Sequence, residues 1–102
     1  HLDGPQAIGH LDTLLAVPGL DMIQWTPGAG QPGVHDPQWW PMYHHIIAGG
    51  KRIMAAGVPN AAALAAMRQE FGAGLGRMLI TMAVTSADEA QRCLDLAGGQ
   101  AT

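Results

Sequence analysis

Apolar positions in this chain fall into two alternating kinds of run. Leu20-Asp21-Met22-Ile23-Gln24-Trp25, Lys51 to Ala55 and Arg77 to Val84 are short, nearly unbroken in apolar character and bounded by Gly or Pro. That pattern predicts buried strands. Between them the spacing changes to three and four. Ile8, Leu11, Leu14 and Leu15 mark one face of a helix from Pro5 to Ala16; Trp40, Tyr43 and Ile47, with Trp39, Met42 and Ile46 beside them, mark a helix from Pro37 to Ala48. Leu64, Met67 and Phe71 do the same for an alanine-rich helix, and Ala90, Cys93, Leu94 and Ala97 for a last one.

The punctuation agrees with the periods. Pro5 and Pro37 stand at first helical positions, Asp36 supplies an N-cap, and Ser86-Ala87-Asp88-Glu89 reads as a capping box. Val17-Pro18-Gly19 and Gly49-Gly50 end the first two helices, while Gly72, Gly74 and Gly76 read as a flexible return. His1-Leu2-Asp3 reads as the end of a further strand. The order is strand end, helix, strand, helix, strand, helix, strand, helix, with strands beginning near residues 20, 51 and 77. Spacings of this size fit parallel crossover units. Four such units make half of a (β/α)8 TIM barrel, and the fold class expected is α/β, a partial barrel, with residues 1–102 as one unit. A doubly wound sheet is the alternative, although no Gly-x-Gly-x-x-Gly follows a strand.

Composition sharpens this reading. The 102 residues are 48% hydrophobic and 13% charged, which predicts elements buried on most sides, as where helices cover both faces of a sheet. A complete barrel takes roughly 250 residues, and the chain starts at His1, so a further portion is expected upstream. With a net charge of −3 and five scattered basic residues, nucleic acid and anionic membrane surfaces are not expected partners. No apolar run is long enough for a transmembrane helix. The one cysteine, Cys93, fits a reducing, cytoplasmic setting and reads as a small buried apolar residue.

The long loop from Thr26 to Asp36 carries the candidate chemistry, because ligands of parallel sheets and barrels sit outside the carboxyl ends of the strands. Gln24 and Trp25 end the strand before it and are candidate pocket residues, as are Gly28, Gly30 and His35. Each also has a structural reading: Gln24 and Trp25 as packing, the glycines as a tight turn. His44 and His45 point about 100 degrees apart on a helix and read as surface residues. The Trp39, Trp40, Met42 and Tyr43 group reads as helix-on-sheet packing.

Leu2-Asp3-Gly4-Pro5 with Gly9-His10-Leu11-Asp12, then Leu20-Asp21-Met22-Ile23-Gln24-Trp25 and Pro27-Gly28-Ala29-Gly30, resembles the C-terminal part of the uroporphyrinogen decarboxylase-like superfamily. That superfamily also holds cobalamin-dependent methyltransferases. The resemblance implies a TIM-barrel enzyme, a lyase or a corrinoid-linked methyltransferase, with its site at the strand carboxyl ends. In the methyltransferase branch a His-x-Cys pair and a later Cys bind zinc and present a thiolate to a methylated corrinoid. His1 matches the His, and Asp3 stands in place of the first Cys. The second Cys has no counterpart, since the last strand offers Ile80-Thr81-Met82. The resemblance therefore implies His1 and Asp3 as catalytic or zinc-binding groups, a small-molecule substrate and a corrinoid supplied by a partner protein. The competing expectation is a non-catalytic half barrel that assembles with another half, for instance as a homodimer. A metal-dependent hydrolase on the same barrel would need more ligands than these residues supply.

Overall fold

The computed structural model describes residues 2–82 and 86–96. Four strands, β1 (Leu2–Asp3), β2 (Met22–Thr26), β3 (Arg52–Ala56) and β4 (Met78–Thr81), form one sheet in the order β1-β2-β3-β4, and every neighbouring pair is parallel. The order follows the chain without reversal, so the four strands have no switch point of the doubly wound kind. Helical segments join them, as parallel strands require. A 3-10 helix, Pro5–His10, passes into α1 (Leu11–Leu15); a second, Pro37–Trp39, leads into α2 (Trp40–Ala48). α3 is Ala61–Phe71, and α4 (Ala87–Leu96) follows β4.

Local chemistry sets most of these boundaries. Asp36 accepts a hydrogen bond from the Gln38 amide at 2.9 Å, Asn60 from Ala63 at 2.8 Å, and the Ser86 hydroxyl from Glu89 at 3.1 Å. These are three side-chain caps on donors that a helix leaves unpaired. The first helix has no such cap at Gly4, and its opening turns are 3-10 rather than the α-helix expected from Pro5. Gly72–Arg77 is likewise a 3-10 helix, not a loose return, with Leu75 buried as its anchor.

The register divides the strand residues between two faces. Leu2 aligns with Trp25 and Ala55 with Ile80, and Ile23, Ile53 and Met78 align in the row before them. These side chains join Tyr43, Ile46, Leu64, Met67 and Phe71 in one core. Asp3, Met22, Gln24, Thr26, Arg52, Met54, Ala56, Leu79 and Thr81 take the alternate positions and point the other way. None of those nine is buried, and Leu79 is 49% exposed. Helices thus cover one face only among the described residues, where the composition led us to expect both. β4 misled because its apolar run is continuous; Leu79 is apolar but belongs to the open face. Leu94, expected in the core, is 62% exposed, while Cys93 on the same helix is buried as expected. Ala97 and His1 lie outside the described residues.

Lys51 is buried at the start of β3, with its ammonium donating to the Val17 carbonyl at 2.7 Å. It caps the turn after α1 and ties that turn to the sheet. No helix among the described residues is long and apolar enough to cross a membrane.

Candidate functional site

The carboxyl edge of the open face is built by register. Asp3 pairs with Thr26, and Ala56 with Thr81, so one carboxylate and two hydroxyls stand on the last row of the sheet. Gln24, Met54 and Leu79 form a row nearer the middle of the strands. The Gln24 amide is half-buried and makes no side-chain hydrogen bond to a described residue, which leaves its donor and acceptor for another group. Backbone bonds extend the ladder past the strand ends: Gly4 N–H donates to the Thr26 carbonyl at 2.7 Å and Gly57 N–H to the Thr81 carbonyl at 3.0 Å. Gly57 N–H also reaches the Thr81 hydroxyl oxygen at 3.1 Å. That edge is therefore fixed by its own main chain.

Trp25 follows Gln24 and so points to the opposite face. It is 1% exposed, packed edge-on against Trp39 at 5.0 Å between ring centroids. The expected pairing of Gln24 and Trp25 in one pocket does not form, because neighbours along a strand diverge. Trp25 is a core residue whose indole N–H has no acceptor among the described residues.

The loop after β2 is held from below by α2 and the turn before it. The Trp39 indole donates to the Pro32 carbonyl at 3.2 Å, Trp40 to the His35 carbonyl at 3.2 Å, and the Tyr43 hydroxyl to the Val34 carbonyl at 2.6 Å. Burial pushes the Tyr43 phenol well above its ordinary pKa. The aromatic group expected only to pack thus also ties down three successive parts of the loop, a role legible in the presence of donor-bearing aromatics shortly after a Gly/Pro stretch. Gly28 and Gly30 are exposed with φ of 98° and 79°, and Gln31 N–H closes a turn onto Gly28. They serve the turn. Gly33 serves His35: a Cβ there would lie 2.9 Å from the imidazole. The His35 Nδ1 is buried with no partner among the described residues.

Other chemistry-bearing residues lie apart from this edge. His44 meets Glu70 at 2.6 Å and His45 meets Asp12 at 2.7 Å, both pairs exposed and on separate helices, as adjacent helical positions require. Clefts of about 430 Å³ and 520 Å³ lie respectively at the amino end of the strands and between α1 and α2. Among the described residues no three His, Cys, Asp or Glu side chains come together to hold a metal ion. The open face offers oxygen and amide groups there, Cys93 being on α4. His1, the other group expected to bind zinc, lies outside the described residues.

Sequence reasoning anticipated Asp3 and Gln24 at strand ends but not Thr26 and Thr81. Alternation from Gln24 marks Thr26 as a same-face neighbour; Thr81 needed the register of β3 against β4. Comparisons of the chain with family models, with curated proteins and with solved structures return no match.

Proposed function

We propose that this chain forms the carboxyl-edge site of a βα-barrel enzyme related to uroporphyrinogen decarboxylase, acting by proton transfer on a small carboxylated or tetrapyrrole-like ligand. The observation that carries this reading is the row of Asp3, Thr26 and Thr81, with Gln24 one layer in, on a sheet whose other face is solid core. The strand order is that of consecutive barrel units. The Gln24 amide, half-buried in the row of Met54 and Leu79, makes no side-chain hydrogen bond to a described residue and can meet a ligand. Asp3 is the acid/base group, the Gln24 amide orients a carboxylate or pyrrole nitrogen, and the threonine hydroxyls hold the ligand edge. The loop of residues 27–36 stands beside them as a fixed wall. The corrinoid-linked reading has less support, since Asp3 stands in the sequence where that branch has its first Cys.

Binding of a carboxylated porphyrin, read by its absorption band and by tryptophan fluorescence, tests the proposal. Gln24→Leu is expected to weaken binding about tenfold through a lost hydrogen bond to a charged group, and Asp3→Asn to abolish turnover while sparing binding. Binding unaffected by Gln24→Leu, together with turnover unaffected by Asp3→Asn, would remove both residues from the site.

The second reading is a non-catalytic assembly module. What favours it is the exposed Leu79 and the outer edges of β1 and β4, which pair with no described strand.

A further inference from the structure

Two of the chain's four arginines stand side by side at the amino end of the open face. Arg52 opens β3 and Arg77 precedes β4; the alignment of Ile53 with Met78 puts the two at the same level. Neighbouring strands lie about 4.8 Å apart, and like charges set directly opposite each other repel. Both arginines line the cleft of about 430 Å³ with Asp21, Met22 and Gly50, and both line a second cleft of about 240 Å³ to which Gly76 and Leu79 contribute. The pair thus has open space on two sides. Among the described residues neither guanidinium forms an ion pair, although Asp21 lines the larger cleft. One Arg77 nitrogen donates to the Gly50 carbonyl at 2.7 Å, which anchors that fork to the turn before β3. Arg52 makes no side-chain hydrogen bond to a described residue.

Charge and shape define what such a pair holds. The chain carries a net charge of −3, so its overall field does not draw anions and the attraction has to be local. A carboxylate has one charge and two oxygens, which a single guanidinium satisfies as a two-bond fork. Two guanidiniums at one level call for a third oxygen and a second charge. A phosphate monoester brings both, with three free oxygens and a charge of about −1.5 to −2. The larger cleft is also of a size that small organic ligands occupy, roughly 300–1,000 Å³, which leaves room for the body of an ester beside its phosphate. Asp21 on the cleft wall suits hydroxyl groups on that body, since an ionised carboxylate only accepts hydrogen bonds. We infer that Arg52 and Arg77 bind the phosphate group of a small hydroxylated phosphate ester. The site lies a strand's length from Asp3, Thr26 and Thr81, about 13 Å at the usual rise per residue. It does not rest on the acid/base chemistry of the carboxyl edge.

Phenylglyoxal labelling of the unaltered chain, mapped by mass spectrometry of its peptides, reads all four arginines at once. The exposed Arg68 and Arg92 serve as internal references. The probes are ribose 5-phosphate, inorganic phosphate, and ribose with sodium chloride at matched ionic strength. Ribose 5-phosphate is expected to slow labelling of Arg52 and Arg77 together, with one half-saturating concentration, and inorganic phosphate to do so only at higher concentration. Arg68 and Arg92 should label as fast as they do in ribose and chloride. By calorimetry, R52Q and R77Q should each bind ribose 5-phosphate about tenfold more weakly or worse, through lost charge-assisted hydrogen bonds. R52K, which keeps the charge and loses the fork, should recover only part of that loss. The proposal is overturned if Arg52 and Arg77 label equally fast with and without the ester, or if all four arginines are slowed alike. Protection by inorganic phosphate at as low a concentration as by the ester would overturn the placing of the ester's body in the cleft. Circular dichroism checks that the variants fold; should they not, the labelling of the unaltered chain decides.

Discussion

The two faces of the sheet are built from alternate residues of the same strands, yet they are different materials. Toward the helices, Leu2, Ile23, Trp25, Ile53 and Ala55 are all buried and apolar. Away from them the residues are layered by depth along the strand: Arg52 and Arg77 at the start, Gln24, Met54 and Leu79 in the middle, Asp3, Thr26 and Thr81 at the end. One face is uniform because packing is all it does. The other is graded, as a surface is when its two ends meet different chemistry. Core packing and the polar open face are therefore separable by a single step along a strand.

Neighbouring substitutions on β2 give the sharpest test. Trp25→Ala leaves a large void against Trp39 and should cost about 3–5 kcal/mol, read as a fall in the urea midpoint. Gln24→Leu, one residue away, should change stability by no more than about 0.5 kcal/mol. Equal losses at both positions would break the distinction between the faces.

Tyr43→Phe comes next in size. It strips the donor from the Val34 carbonyl, and a buried acceptor left unpaired costs about 1–3 kcal/mol. Amide exchange should accelerate in residues 27–36 while β3 stays protected. The pH dependence follows from the same phenol. Because folding raises its pKa, the folded state holds this proton more tightly than the unfolded chain. Its stabilisation is complete below the ordinary phenol value of about 10 and is lost as pH rises beyond it. Tyr43 is the only tyrosine in the chain, so phenolate absorbance should appear together with unfolding, not before it.

Gly33→Ala is the smallest of the stability effects. The new methyl group meets the His35 ring, and turning the ring off its rotamer costs about 0.5–1.5 kcal/mol. A loop that tolerated this change with no loss in thermal midpoint would show that His35 moves freely.

The sequence made the elements legible and left the register illegible. Apolar period and capping residues placed Asp36 and Ser86 at helix starts, because both signals are local. Which strand residues share a row depends on how far one strand slides past the next, and a slip of one residue exchanges the faces. For that reason Asp3 and Gln24 could be named from strand ends alone, whereas Thr81 could not be joined to Thr26. Trp25 was assigned to the pocket by its neighbour's polarity, when alternation sends it to the core. Leu79 and Leu94 show the opposite limit: side-chain apolarity does not reveal which face has a cover. The loop ties made by Trp39, Trp40 and Tyr43 were hidden because these side chains also satisfy the apolar helix pattern.

Lys51 is the one lysine among the 102 residues, and its ammonium is committed to the Val17 carbonyl inside the protein. Amine chemistry on the native molecule, whether acylation, cross-linking or attachment of a modifying group, consequently finds no side-chain target until α1 and β3 separate. A pulse of an amine-reactive reagent, read at Lys51 by peptide mapping, therefore clocks the opening of that junction with no label introduced.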